Sequence, residues 1–264
     1  MKIIFFDLDQ TLLDHRTWTI PASAVEALAR LKRAGHLLYV NTSRSGNEMK
    51  NVASLLAPLE LDGMILSGGA HTVAGGRDVR LVYAAVEPMA RVLEIMDGRG
   101  LSVRWQTAAN LYFQRQPPEE VTGILMDLFG ESAPVRPWDG SPLLRLVTYA
   151  APEQVRALRR SVPELRFMEQ GYDVVYVTEA GVDKATAMLA EAYRLGFTRG
   201  QTVAFGDGLN DCDMLSCAGT GVAMGNAGQA VKACADYVTD PVDQDGILSA
   251  CRSLGLLDAG RGTA

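Results

Sequence analysis

The sequence predicts an α/β protein: a parallel-sheet core built from alternating strands and helices, interrupted by a second α/β unit. Three observations carry this prediction. Short apolar runs alternate with helical periods at both ends of the chain. Between about residues 82 and 180, by contrast, predicted strands follow one another with short connections. Finally, the runs Ile3-Ile4-Phe5-Phe6 and Thr202-Val203-Ala204-Phe205 each lead directly into an acidic string, as strands buried on both faces do when they deliver charge to a sheet edge.

Taken in order, residues 3–6 form the first strand. Asp7 and Asp9 follow it, two apart, so in extended chain they face one side while Leu8 turns away. Pro21 to Ala34 carries Val25, Leu28 and Leu31 at helical spacing and stops at Gly35. His36 to Val40 is a strand ending at Asn41-Thr42-Ser43-Arg44. A helix is expected from about Gly46 to Leu56, and Met64-Ile65-Leu66 is a strand entering Ser67-Gly68-Gly69. Ala70 to Tyr83 reads as a hairpin turning at Gly75-Gly76.

The expected insert then runs helix (85–97), strands (101–106 and 110–115), helix (118–129), strand (143–149), helix (152–162) and strands (164–169 and 173–178). A Pro-rich segment, Ala133–Pro142, is one of its loops. The parallel rhythm returns with a helix from Asp183 to Leu195, the strand 202–205, a short helix from Asn210 to Cys217, strands at 221–223 and 237–239, and a last helix from about Gly246. Residues 257–264 read as a loose tail. The expected division is therefore 1–81 with 181–264 as the core and 82–180 as the insert.

Composition narrows the function. With 48% apolar and 21% charged residues the chain is that of a folded protein, and 264 residues can bury a sizeable core. A net charge of −6 gives no basic footprint for nucleic acid and points to small-molecule chemistry. The four cysteines (Cys212, Cys217, Cys234 and Cys251) form no C-x-x-C pair, so they read as small apolar fillers in a reducing compartment. The first apolar run is only four residues long and no run approaches a membrane span, so no secretory signal or membrane partner is expected and the expected location is cytoplasmic.

Four strings could carry chemistry. Asp7-Leu8-Asp9-Gln10-Thr11 is the first, and Gly206-Asp207-Gly208-Leu209-Asn210-Asp211 the second. Either could be an ordinary turn with a helix cap, but both sit at the end of a buried strand. Asp7, Asp9, Asp207 and Asp211 in one crevice would repel, which predicts a cation, and oxygen-only ligands favour Mg²⁺. Lys184 follows Asp183, which fits an N-cap, and so lies in the first turn of a helix, where a lysine opposes the dipole but strengthens an anion site. Thr42-Ser43-Arg44 offers hydroxyls and backbone N–H groups to a phosphate, or simply caps a helix. Together the pieces describe phosphoryl transfer: a carboxylate nucleophile, a second carboxyl to move protons, and positive charge to neutralise the transferred group.

D-L-D-Q-T-L-L, the strand-end Thr42, Lys184 and G-D-G-L-N-D resemble the four motifs of the haloacid-dehalogenase-like phosphatases, in that family's order. The insertion between Thr42 and Lys184, and the ending A-D-Y-V-T-D-P-V-D-Q-D-G-I, resemble the Cof-type branch with a large α/β cap, whose members include sugar phosphatases and mannosyl-3-phosphoglycerate phosphatase-like proteins.

The resemblance implies a Rossmann-like core, a specificity-bearing cap and Mg²⁺. It implies Asp7 as nucleophile and metal ligand, and Asp9 as general acid/base and as metal ligand through its backbone carbonyl. Thr42 and Lys184 would hold the phosphoryl group, Asp207 would complete the metal site, Asp211 would support the metal and Lys184, and Asn210 would lie close to the phosphate. Ser43 and Arg44 would contact substrate, and Asn110, Tyr112 and Arg145 are candidate contacts from the cap. Gln10 and Ser43 stand where glycines are usual, and Ser67 where asparagine is common.

The expected function is hydrolysis of a small phosphorylated metabolite through an aspartyl-phosphate, by a monomer or homodimer. Sugar phosphates and sugar-phosphoglycerates are the first expectation, and pyridoxal or flavin phosphates are alternatives. A phosphomutase or phosphotransferase of the same fold, or a non-catalytic binding module, are the rival readings.

Overall fold

A computed structural model describes residues 1–169 and 173–257. The tail expected at 257–264 lies, from 258 onward, outside them. Strands among the described residues are β1 (Ile3–Phe6), β2 (Leu37–Asn41), β3 (Gly63–Leu66), β4 (His71–Ala74), β5 (Arg77–Leu81), β6 (Val103–Gln106), β7 (Leu111–Phe113), β8 (Arg145–Tyr149), β9 (Leu165–Glu169), β10 (Val174–Glu179), β11 (Thr202–Gly206), β12 (Thr220–Ala223) and β13 (Tyr237–Val238). The helices are α1 (Ala22–Arg33), α2 (Ala53–Leu56), α3 (Val86–Gly98), α4 (Glu119–Phe129), α5 (Pro152–Ser161), α6 (Lys184–Arg194), α7 (Cys212–Cys217), α8 (Gln229–Lys232) and α9 (Gly246–Ser253). No helix among the described residues is long and apolar enough to cross a membrane.

The chain divides into two compact units. The first comprises Met1–Ser43, Val52–Val79 and the chain from Asp183 onward; the second comprises Arg44–Asn51 and Arg80–Val182. An eight-stranded sheet runs in the order β13-β12-β11-β1-β2-β3-β4-β5, parallel from β13 through β3 and antiparallel between β3 and β4. β1 lies inside this sheet, which is why its four residues are apolar without alternation: all are fully buried. Ile3 and Phe5 pack with Tyr39, Ala204, Met188 and Met214 on one face, while Phe6 stacks on Phe205 at 4.9 Å. Each such aromatic or aliphatic side chain contributes about 1.5–3 kcal/mol by leaving water.

The second unit carries the antiparallel sheet β7-β6-β8-β10-β9. Its core joins Met89, Val92 and Met96 of α3 and Val155 and Leu158 of α5 to Trp105, Leu146 and Val175 of the sheet.

One expected element differs. Residues 46–56 are not one α-helix: Asn47–Val52 is a 3-10 turn, followed by the four-residue α2. The Glu48 carboxylate turns back onto the Ser45 N–H at 2.8 Å, and the Arg44 guanidinium takes the Glu48 carbonyl at 3.0 Å. Ser45 and Glu48 cap each other reciprocally, the Glu48 N–H donating to Ser45 Oγ at 3.3 Å, while Arg44 takes a carbonyl that an α-helix would pair four residues on.

Candidate active site

Parallel register brings the predicted strings to one sheet edge. Phe6 is level with Val40 of β2 and with Phe205 of β11. The next residues along the three strands are Asp7, Asn41 and Gly206, so Asp7, Thr42 and Asp207 all emerge at the carboxyl ends of adjacent strands. The sheet continues into Asp7, whose N–H donates to the Phe205 carbonyl at 2.9 Å.

Lys184 arrives from α6. Asp183 caps that helix, accepting the Thr186 N–H at 2.7 Å, and Lys184 is its first residue. Its ammonium donates to Asp7 Oδ1 at 2.5 Å and to Asp211 Oδ1 at 2.7 Å, with all three side chains buried. The Lys184 carbonyl accepts from Asn41 Nδ2 at 3.0 Å, which ties the start of α6 to the end of β2.

The glycine-rich turn after β11 is built around Asp211. Its second oxygen accepts the N–H groups of Asp207 and Gly208, each at 3.0 Å. A Cβ at Gly206 would lie 2.6 Å from Asp211 Cβ and Cγ, so glycine is what permits the turn to fold over this carboxylate. Thr11 Oγ1 donates to Asp207 Oδ1 at 3.0 Å, and Asn210 Nδ2 to Ser43 Oγ at 2.9 Å.

Asp7, Asp207 and Asp211 each present a carboxylate oxygen within 4.8 Å of the others. Burial, with the neighbouring acids adding to it, pushes Asp7 well above the usual carboxylate range, although Lys184 pulls the other way. Burial and Asp211 push Asp207 up to about 7. Burial also opposes the Lys184 charge, but Asp211 and Asp7 outweigh it and hold that ammonium more firmly protonated than usual. One ammonium against three carboxylates leaves negative charge uncompensated in a low-dielectric site. Oxygen donors so crowded and under-neutralised fit a small hard cation such as Mg²⁺.

Asp9 is not one of these crowded donors, but its charge also helps to raise Asp7 and Asp207. Its side chain is a third exposed, and Oδ1 lies 2.7 Å from His15 Nε2. Gln10, at the glycine position, holds a left-handed φ of +62°. Arg44 belongs to the second unit: it is buried, lies over the Phe129 ring at 5.0 Å and donates to Asn51 Oδ1 at 2.9 Å. Arg145 is likewise fully buried, donating to Gln106 Oε1 at 2.6 Å and Glu48 Oε2 at 3.1 Å. Asn110 and Tyr112 line two concavities of the second unit, of about 230 and 330 Å³.

Sequence reasoning missed His15, Asn41, Glu48 and Arg104. Only Asn41 carried a usable signal, as a polar residue closing an apolar strand beside Thr42.

Comparison with known proteins shows the family. The family model for haloacid dehalogenase-like hydrolases matches residues 4–250. The Bacillus subtilis (strain 168) protein YkrA is 33% identical over 262 residues, covering 97% of this chain and 98% of its own length. The 5-amino-6-(5-phospho-D-ribitylamino)uracil phosphatase YcsE of the same organism is 27% identical over 257 residues, covering 96% of this chain and 95% of its own. Among solved structures, the subclass IIB sugar phosphatase BT4131 superposes with a TM-score of 0.91 at 28% identity, over 97% of this chain and 100% of that one. The chain belongs to the haloacid dehalogenase-like hydrolases, in their Cof-type branch, and is an enzyme of the phosphatase type.

Proposed function

We propose that the protein is a Mg²⁺-dependent phosphatase of small phosphorylated metabolites, sugar phosphates or related esters, acting through an aspartyl-phosphate on Asp7. The observation that carries this reading is the buried contact of one ammonium, Lys184, with both Asp7 and Asp211, beside Asp207. The named activities of YcsE and BT4131, both on small phosphorylated molecules, support the substrate class.

An oxygen of Asp7 attacks phosphorus, and the bond from phosphorus to the ester oxygen breaks. Asp9 gives its proton to that departing oxygen, and the alcohol leaves. Water then attacks the aspartyl-phosphate and surrenders a proton to Asp9; the bond to Asp7 breaks, releasing phosphate and restoring both carboxyl groups. Lys184, the hydroxyls of Thr42 and Ser43, and Asn210 hold the phosphoryl oxygens and offset their charge. Asp7, Asp207, Asp211 and the Asp9 carbonyl would hold Mg²⁺, with Asp211 also fixing Lys184. When bound, the ion would neutralise the crowded carboxylates and the charge of the transferring group. Substrate selection falls to the inserted unit, where Asn110 and Tyr112 line concave surface.

A turnover screen over phosphorylated metabolites, with and without Mg²⁺, tests this. Phosphate release that requires Mg²⁺ and disappears in Asp7→Asn is expected. Undiminished release by Asp7→Asn would reject the mechanism.

A further inference from the structure

Asp9 stands on a loop that is closed at both ends. The N–H groups of Leu12 and Leu13 donate to the Leu8 carbonyl at 3.0 and 2.8 Å, and Gln10 N–H donates to the Leu13 carbonyl at 2.8 Å. Directly after it, Asp14 and Thr19 close a second turn: Asp14 N–H donates to the Thr19 carbonyl at 3.0 Å, and Trp18 N–H to the Asp14 carbonyl at 2.8 Å. The Asp14 carboxylate pins this turn from within by accepting the Arg16 N–H at 2.9 Å. His15 projects from that turn, and its imidazole is stacked on the Trp18 indole, 4.6 Å between centroids and 12° between planes. Trp18 closes this turn in the left-handed region, at φ +53°. This stacking orients the imidazole, whose Nε2 meets Asp9 Oδ1 at 2.7 Å.

We infer that His15 is a positioning residue for Asp9, on the reading of Asp9 as the acid/base given above. This role requires the form of His15 that carries its proton on Nε2, which donates to Asp9 Oδ1. With Oδ1 occupied as acceptor, the proton that Asp9 delivers resides on Oδ2. The bond to His15 thus selects one oxygen for proton transfer and holds the carboxyl in one rotamer, while Trp18 holds His15. In the transfer step the ester oxygen takes the bonding pair from phosphorus and the proton from Oδ2, leaving Asp9 a carboxylate still bonded to Nε2–H. The contact needs no change at His15 itself.

The test compares kcat/KM, with Mg²⁺ supplied, for p-nitrophenyl phosphate and for an alkyl phosphate. The aryl oxygen leaves without a proton, whereas the alkyl oxygen requires one. A positioned acid contributes roughly 10²–10⁴-fold, so misplacing it in His15→Ala is expected to lower the alkyl phosphate value about tenfold and leave the aryl value within about twofold. His15→Gln, which retains an N–H donor, should recover most of the loss. Because both substrates are read on one preparation, their ratio is independent of how much of the variant is folded. Equal losses on both substrates, or no loss on either, would overturn the inference, as would failure of His15→Gln to recover the ratio. Asp9→Asn, measured alongside, should show the same pattern more strongly. If it spares the alkyl phosphate, the acid/base reading of Asp9 fails and the role of His15 falls with it; if only His15→Ala spares it, the inference alone fails.

Discussion

Lys184 Nζ and Asp7 Oδ1 meet at 2.5 Å with both side chains out of water, so the proposed nucleophile carries its own fixed counter-charge. Removing that charge in Lys184→Met should cost roughly 10²–10³-fold in kcat, the range for losing one preorganised donor to a developing negative charge. It also strands Asp7 and Asp211, for which breaking a buried pair costs about 3–5 kcal/mol. A cation bound by the same acids offsets part of that loss. Urea unfolding should therefore show the variant weakened most in chelator, and less so with Mg²⁺ present.

The turn after β11 makes a steric prediction. A Cβ added at Gly206 would lie within 2.7 Å of three atoms of Asp211, which is itself fully buried and has nowhere to retreat. Gly206→Ala should displace the carboxylate that holds Lys184. A displacement of about 1 Å costs on the order of 10²-fold in rate, while overpacking costs about 1–3 kcal/mol of stability. Gly228, where an added Cβ meets nothing within 4 Å, provides the control: its alanine variant should keep the parent rate. Steady-state turnover of the two variants checks the contrast.

Gln10 makes the opposite prediction, a gain. A side chain at φ +62° bears the cost of the left-handed region, about 1–2 kcal/mol, whereas glycine there gives back about 0.5–1 kcal/mol through its freer unfolded chain. Gln10→Gly should thus stabilise the protein by roughly 0.5–1 kcal/mol. The bond from Asn226 Nδ2 to residue 10 uses the backbone carbonyl, at 2.9 Å, and survives the change. Thermal unfolding reads the shift.

The parts of this molecule that sequence reveals are those whose chemistry is local. An apolar run ending in Asp7, another ending in Gly206-Asp207, and Asp183 capping a helix that begins with Lys184 each declare themselves within a few residues, and parallel register does the rest. What stayed hidden depends on partners far along the chain. Arg145 reads from sequence as a polar residue free to face substrate. It is fully buried, with Glu48, 97 residues away, accepting from its guanidinium. The stretch from 46 to 56 reads as a helix, whereas its first part winds as a 3-10 turn with the Glu48 carbonyl taken by Arg44. His15 escaped notice because its meaning lies in the direction of one ring nitrogen, set by Trp18 stacking and not by spacing.

Glu48 also yields a pH prediction for the second unit. Its carboxylate accepts Arg104 Nη1 at 2.9 Å and Arg145 Nη2 at 3.1 Å, with all three side chains at most 5% exposed. Burial opposes the Glu48 charge, but Arg104, Arg145 and the Ser45 N–H outweigh it and hold its pKa below the usual glutamate value. A group depressed on folding adds stability that is complete above its unfolded pKa of about 4.3 and is lost as pH falls below that value through the folded pKa. Glu48→Gln removes the carboxylate that two buried guanidinium groups share, so near neutral pH it should cost about 3–5 kcal/mol. The variant has no carboxylate to protonate. Its stability deficit against the parent should therefore shrink as the solution is acidified below about pH 4, and denaturant titrations of both proteins across that range would show the two curves converging. A deficit that stayed constant with pH would mean that the Glu48 charge does not hold the two arginines in place.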